Sequence, residues 1–388
     1  MNYHNNILMT LLIGISVFIL LTNCAGAATW TVDPTPGVGD YTTVQAAINA
    51  ASAADTIQVQ SGTYYEHVNV NKRLTLQGVD SGAGLPVVDA GGSGSAITLS
   101  ADGCTLGKLV ATNSTYGIYL SGSSNNIISE NTVNDNSDTG IYLVSSSSNS
   151  ISDNAITGNA RIGILLDSSS NNTISGNTAT GSYNHGIYLD SSSNNNLLGN
   201  IATGNGYGIY LDSSSNNAIS GNTASDNDFG IRLESSNDNT ISGNTANDNT
   251  ESGIYLGSSN NNTISENTAS GNNFGISFNS SSNNTVSGNT INDNNYHGLD
   301  LYSSSNSNTI SGNTATGNID IGIRLDLSSD NAISGNNATG NADGIQLKSS
   351  NSNTISGNTF AGNYYFGIYL YSSSNSNTLS GNTATGNR

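Results

Sequence analysis

The sequence predicts an all-β chain wound as a single-stranded parallel β-helix, a solenoid with three short strands per coil and one short capping helix near the N-terminus. Three observations carry this. From Gly117 onward a glycine precedes Ile or Leu at positions 117, 140, 163, 186, 208, 230, 253, 275, 298, 322, 344 and 367, in steps of 22 to 24 residues. Within each step the apolar positions fall into three short clusters, counted from the glycine: +1 and +3 (Ile187 and Leu189), +11 (Ile128, Ile151, Ile174) and +16 (Val133, Ile156, Ala179). Such clusters cannot line one helical stripe, and each reads as a strand with alternate side chains turned inward. Finally, hydrophobic residues make up 34% and charged residues only 9% of the chain, too little of either for an ordinary globule or an ordinary disordered segment. The strict period argues against disorder, because random polar tracts keep no register.

Taken in order, the first element is a leader, residues 1–27. Ile7 to Leu21 is almost wholly apolar and "CAGAA" (Cys24 to Ala28) supplies small residues for cleavage near Ala27, although the first ten residues carry no Lys or Arg. "LTNC" has a faint lipoprotein-box character that Asn23 fits poorly, and simple cleavage is expected. Cleavage would leave Cys104 alone, read as a buried small hydrophobe, so no internal disulfide is expected. Residues 28–116 follow as the cap and first coils. "DYTTVQAAINAA" places Val44, Ala47, Ile48 and Ala51 at helical spacing, with Thr42 or Thr43 as the N-cap. Strand-like alternation then appears in "TIQVQ" (56–60), "HVNV" (67–70), "RLTLQG" (73–78) and "SAITLS" (95–100).

Residues 117–388 are twelve regular coils. Stacking them about 4.8 Å apart gives three parallel sheets around a narrow apolar core. A leucine-rich repeat has a similar period, but neither its several leucines nor its return segment is present. Inserted residues sit at the Ser/Asn corner, as in "YSSSNSN" (Tyr302 to Asn308), where a solenoid can absorb them without losing strand register. Asn recurs near +9, +14 and +19, and near +14 in all twelve coils, from Asn131 and Asn154 through Asn358 and Asn382. Stacked at a corner, each amide is expected to donate to the carbonyl of the next coil, with the serine runs acting similarly and more weakly. The last stretch, "SGNTATGNR", shows no capping helix, which predicts end-to-end association or a truncated product.

The repeat "GIYLDSSSNNAISGNTASDN" resembles those of the NosD-type, pectin-lyase-like right-handed β-helix proteins. The segment "TVQAAINAASAADTIQVQSGTYYEHVNVNKRLTLQG" is similar to the N-terminal cap and first coils of the same superfamily. The resemblance runs from about Trp30 to Arg388. It implies a right-handed helix, but a wide range of functions: polysaccharide lyases, hydrolases, esterases and epimerases, copper-maturation accessory factors, and secreted surface proteins.

The formal net charge of −19, with eight Lys plus Arg, disfavours nucleic acid and anionic membrane as partners and suits a divalent cation or a neutral glycan. No transmembrane span is expected in the chain after cleavage. Copper, implied by the NosD resemblance, finds few donors. Met1 and Met9 lie in the leader, and His185 and His297 stand five coils apart, roughly 24 Å at ordinary strand spacing. Position +4 carries Asp167, Asp190, Asp212 and Glu234 in consecutive coils, then Asp326. This acid ladder reads first as a solvated stripe and second as a calcium-decorated edge. Carboxylates about 5 Å apart also mimic a glycosidase pair, but any adjacent coils give that distance, and repeats this uniform offer no irregular cleft. Arg161, Arg232 and Arg324 look isolated, and no catalytic residue is assigned.

Tyrosine is the best binding clue. It holds +2 at Tyr119, Tyr142, Tyr188, Tyr210, Tyr255 and Tyr369, facing outward, with Tyr116, Tyr207, Phe229, Phe274 and Phe366 at −1. Such a row beside Asp167, Asp190 and Asp212 can stack on sugar rings; it can equally be a cross-strand ladder that only stabilises the sheet. The Asn-X-Ser/Thr sequons at Asn113, Asn171, Asn261, Asn279, Asn283 and Asn337 suit an exported chain without requiring one. The reading is a secreted or cell-surface, non-catalytic structural or adhesive protein that binds a polysaccharide or cell-envelope glycan. The alternatives are a carbohydrate-active enzyme and a NosD-like copper accessory protein.

Overall fold

The computed structural model describes residues 26–388, so the leader falls outside the described residues apart from its last two positions. Those residues form the expected right-handed parallel β-helix. The first sheet has 16 strands, from Thr29–Val32 to Thr378–Ser380. The second has 14, from Val68–Val70 to Ile368–Tyr371, and the third has seven, from Thr63–Tyr65 to Ile201–Thr203. Every strand pair is parallel and joins equivalent positions of successive coils, as in Ile187↔Ile209 and Leu189↔Leu211.

The third sheet departs from expectation. Beyond Ile201–Thr203 its strand shrinks to one bridged residue per coil, running Ile201↔Thr223 and on to Thr359↔Thr383. The stacking persists through the flanking amides: Thr223 N donates to Asn200 O and Ala224 N to Thr245 O, both at 2.8 Å. The capping helix is Val44–Ala50, with Val44, Ala47 and Ile48 buried. Thr43 is the N-cap, its hydroxyl accepting from Ala46 N at 3.3 Å. Glu66 completes the cap, accepting from Val44 N at 2.7 Å and Gln45 N at 2.9 Å, and so satisfies two first-turn donors that have no partner within the helix. Cys104 is buried, with its Sγ 3.4 Å from Lys72 O, and burial pushes its thiol pKa up.

The asparagines form three columns, and their geometry corrects the expected direction of donation. Asn244 illustrates it. Its Nδ2 donates to Ile219 O of the preceding coil at 2.9 Å and to Asn267 Oδ1 of the next at 2.9 Å. Its own Oδ1 accepts from Asn222 N at 2.9 Å and Asn222 Nδ2 at 3.0 Å. The amide therefore reaches back for a carbonyl and forward for another amide. A backbone carbonyl alone could not do this, because a side chain that also offers an acceptor links coils in both directions. The serine column at +6 does the same with fewer bonds: Ser214 N donates to Ser236 Oγ at 3.0 Å and Ser214 Oγ to Leu189 O at 3.1 Å. One column is interrupted. Where the +19 amide should stand, Ser182 has a buried Oγ with no partner.

The repeat glycine is required by proximity. A Cβ on Gly230 would sit 2.5 Å from Gly253 O, 2.7 Å from Ala224 O and 2.9 Å from Ala246 Cβ. The glycine in "SGN" has a different cause: Gly221 has φ +63°, the left-handed corner conformation one residue before a ladder asparagine.

Two outcomes follow for stability. Gly230→Ala should lower the thermal midpoint, by an amount worth about 1–3 kcal/mol, as overpacking forces the coils apart. Asn244→Ala should cost about 2–4 kcal/mol, because it leaves the buried Asn222 N without its acceptor and removes the side-chain donor to Ile219 O and one of the bonds of Asn222 Nδ2. Chemical denaturation of each variant measures both.

Candidate functional site

The outward face of the second sheet carries the chemistry. Alternation along each strand sends +1 and +3 into the core and leaves +2 and +4 outside, as in Tyr207–Asp212 with Ile209 and Leu211 buried and Tyr210 and Asp212 half-buried. Register then builds columns. At +2 the partners run Tyr119↔Tyr142↔Leu165↔Tyr188↔Tyr210↔Arg232↔Tyr255↔Ser277↔Asp300↔Arg324. At +4 they include Asp167↔Asp190↔Asp212↔Glu234.

The rings stack on one another. Tyr188 and Tyr210 lie 5.0 Å apart and nearly parallel at 12°. His185 sits among Tyr188, Tyr207 and Tyr210 with centroids 4.7 to 5.2 Å away. Burial pushes the Tyr142 and Tyr188 hydroxyls up in pKa, and that of Tyr210 to about 12. These hydroxyls stay protonated and act as donors: Tyr142 Oη donates to Asp167 Oδ2 at 3.1 Å. Each of the stacked carboxylates accepts from the hydroxyl that follows it in its own coil, with Ser168, Ser191 and Ser213 donating to Asp167, Asp190 and Asp212 at 2.9 to 3.1 Å. Among the described residues no three His, Cys, Asp or Glu side chains are grouped to hold a metal ion.

Two hollows of about 270 Å³ each open where the tyrosine column is broken. The first surrounds Leu165 and is lined by Tyr142, Tyr188, Asp167 and Asp190, four of the residues singled out from sequence, together with Arg161. The second, five coils on, centres on Ser277. Phe229, Tyr255 and Phe274 form one wall and Asp300, Arg324 and Asp326 the other. Of the remaining sequence candidates, Tyr255 lines this second notch, while Tyr119, Tyr210 and Asp212 line neither hollow.

The Ser277 notch corrects the expectation of uniform repeats and isolated arginines. Asp300 takes the +2 place that tyrosine holds elsewhere and is 3% exposed. Arg324 Nη1 donates to its Oδ1 at 3.0 Å and Oδ2 at 3.3 Å, while Nη2 donates to Asp326 Oδ2 at 2.5 Å. Lys348 Nζ adds a bond to Asp326 Oδ2 at 3.2 Å. Burial drives the Asp300 carboxyl up to about 6 despite Arg324. Asp326 Oδ1 is buried with no partner. Arg232 is engaged as well, donating to Glu234 Oε1 and lying 5.0 to 5.8 Å from four aromatic centroids. The sequence signal for the notch was a break in a column, "GISF" and "GLDL" where "GIYL" is the rule.

A family model described as "Periplasmic copper-binding protein (NosD)" matches in three overlapping stretches, residues 48–223, 179–306 and 275–388. The chain belongs to the NosD family. The resemblance seen in "GIYLDSSSNNAISGNTASDN" is thereby established. The copper in that family description does not fit the donors described here. Cys104 is buried among backbone carbonyls, and His185 and His297 each keep a buried Nδ1 without a hydrogen-bond partner, in coils too far apart to share an ion. No curated protein shows a significant sequence match. Solved structures share the fold. The A-module of mannuronan C-5 epimerase AlgE4 from Azotobacter vinelandii superposes with a TM-score of 0.59 at 17% identity, over 88% of this chain and 92% of that one. Tailspike protein 2 of Escherichia coli O157:H7 bacteriophage CAB120 gives 0.54 at 15% identity, over 68% and 43%. The Dettilon tailspike gives 0.53 at 14%, over 81% and 62%. Among the described residues no helix is long and apolar enough to cross a membrane.

The buried titratable groups set a pH dependence. Burial lowers His185 and His297 from 6.5 to about 4, so both rings are neutral at pH 7 and the 3.5 Å approach of His297 to Asp320 is not an ion pair there. Their contribution to stability is complete above about pH 6.5 and is lost as pH falls through about 4. Asp300 acts oppositely: its raised pKa confers stability below 3.8 that is lost as pH rises through about 6. Two imidazoles should therefore show proton-resonance titration midpoints near pH 4. Asp300→Asn should match the wild-type melting temperature near pH 4 and gain on it as pH is raised to 7.

Proposed function

We propose that this NosD-family chain is an exported, non-catalytic rod that binds a polysaccharide along the outward face of its second sheet. The observation that carries this reading is the pairing, on one face, of stacked aromatic rings with two hollows of about 270 Å³ whose walls combine rings and carboxylates. Flat ring surface beside hydrogen-bonding groups suits a sugar, which presents C–H faces and hydroxyl edges together. The length of the sheet suits a polymer, since rings stand at equivalent +2 positions in several coils, from Tyr119 and Tyr142 through Tyr188 and Tyr210 to Tyr255. The family's description as periplasmic and the recurrence of this fold in an enzyme named for mannuronan support an envelope or extracellular setting.

A second reading, a carbohydrate-active enzyme, has one observation in its favour: the buried Asp300, held near 6 beside Arg324 in a notch. Against it, Arg324 is already shared between Asp300 and Asp326 and has little left to stabilise a developing charge.

Glycan-array binding by the full chain should be positive without release of reducing or unsaturated ends. The double variant Tyr188→Ala, Tyr210→Ala should weaken binding on the order of tenfold. Unchanged binding with a lowered melting temperature would make the tyrosine column purely structural, and product release would establish the enzyme reading.

A further inference from the structure

We infer that the Ser277 notch is a subsite for an uncharged sugar ring, which sets the specificity of the face for neutral glycans over polyuronates. This rests on the polysaccharide reading above and adds the class of sugar and its position.

The notch exists because the tyrosine column stops after Tyr255. Tyr255 pairs with Ser277, Ser277 with Asp300, Asp300 with Arg324 and Arg324 with Gln346, so no ring fills the +2 column over these four coils, and Ser277 is the smallest of the four side chains. What remains is about 270 Å³ between an aromatic wall (Phe229, Tyr255 and Phe274) and a polar wall (Asp300, Arg324 and Asp326) that also carries the Tyr302 ring. An apolar ring on one side and charged hydrogen-bonding groups on the other match the two surfaces of a pyranose. The polar wall also holds a buried acceptor without a partner. Asp326 Oδ1 is buried and accepts no hydrogen bond, although Oδ2 of the same carboxylate accepts from Arg324 and Lys348. A buried carboxylate oxygen without a donor is costly, and a sugar hydroxyl is a donor of the right size.

The charges select against a uronate. Arg324 and Lys348 are the cations at this wall, and both are engaged by Asp300 and Asp326. Glu251 lines the notch in addition, so the local balance is negative and no unengaged cation faces it. A sugar carboxylate entering here would meet carboxylates at short range, and like charges that close are strongly unfavourable where water is excluded. Hydroxyls meet no such penalty.

The experiment is calorimetric titration of the full chain with cellohexaose, maltohexaose and hexamannuronate, repeated with Ser277→Tyr and Phe274→Ala. Tyrosine is the residue that the column carries at Tyr188, Tyr210 and Tyr255, so Ser277→Tyr fills the notch in the manner of its neighbours. Phe274→Ala removes part of the wall at a half-buried position and guards against a folding defect in the first variant. At least one neutral hexamer should bind wild type about tenfold or more tighter than hexamannuronate, and both variants should weaken it by roughly 10- to 100-fold. Hexamannuronate binding as tightly as the neutral hexamers would overturn the selectivity. Neutral binding that survives both notch variants but falls in Tyr188→Ala, Tyr210→Ala would overturn the location. In both cases the polysaccharide reading stands. Failure of wild type to bind any of the three would overturn the subsite, and absence of binding on a full glycan array as well would remove the polysaccharide reading with it.

Discussion

Each coil must lie on its neighbour at hydrogen-bonding distance along its whole circuit, and every other feature of this protein is arranged around that requirement. The strands meet it with backbone bonds in three parallel sheets, and the corners with asparagine and serine columns. The glycine at the head of each repeat meets it by omission, since a Cβ there would drive into the backbone of the coil beyond. With a core only a few side chains wide, hydrophobic burial alone gives a thin margin. The satisfied corner polar groups keep the desolvated turns from becoming a liability.

The same requirement explains where function can reside. Positions that face the core or the corner columns are constrained by two neighbouring coils at once. Positions +2 and +4 of the second sheet face outward and are constrained only by their cross-strand partners. Substitution there changes the surface without changing the stack, so Leu165, Ser277 and Asp300 replace tyrosine while Ile276, Phe278, Leu299 and Leu301 remain buried around them. A binding feature on such a rod is a local departure from its own repeat.

Most of the architecture was legible in the sequence because it is periodic. The twelve glycines, the +1, +3, +11 and +16 apolar positions and the Asn columns specify a coil, and the helix from Val44 with its Thr43 cap follows from ordinary patterning. Two things were not legible. The shrinkage of the third strand after Thr203 leaves no mark in composition, since "NTAS" and "NTAT" differ by little more than a methyl group. The Ser277 notch was visible only as missing tyrosines. Its content, Arg324 gripping Asp326 of its own strand and Asp300 of the preceding coil, needs knowledge of which +2 residues become neighbours across 24 residues of chain. Tyr142, Tyr188, Asp167 and Asp190 were chosen from column position alone and do converge on a hollow, whereas Tyr119, Tyr210 and Asp212 share the columns without lining either one.

Near-identity of the coils carries a hazard for assembly. A chain that docked one whole unit out of phase would bury the same isoleucines and form the same amide bonds, so the regular region holds little information about its own numbering. The irregular stretch between Thr29 and Gly107 does hold it: the helix pinned by Glu66 and Thr43 and the non-repeating turns around Asp55 and Asp80 fit together in one way. Folding that starts there and winds outward fixes the phase of every later turn, much as the first tooth of a zipper decides where all the others close.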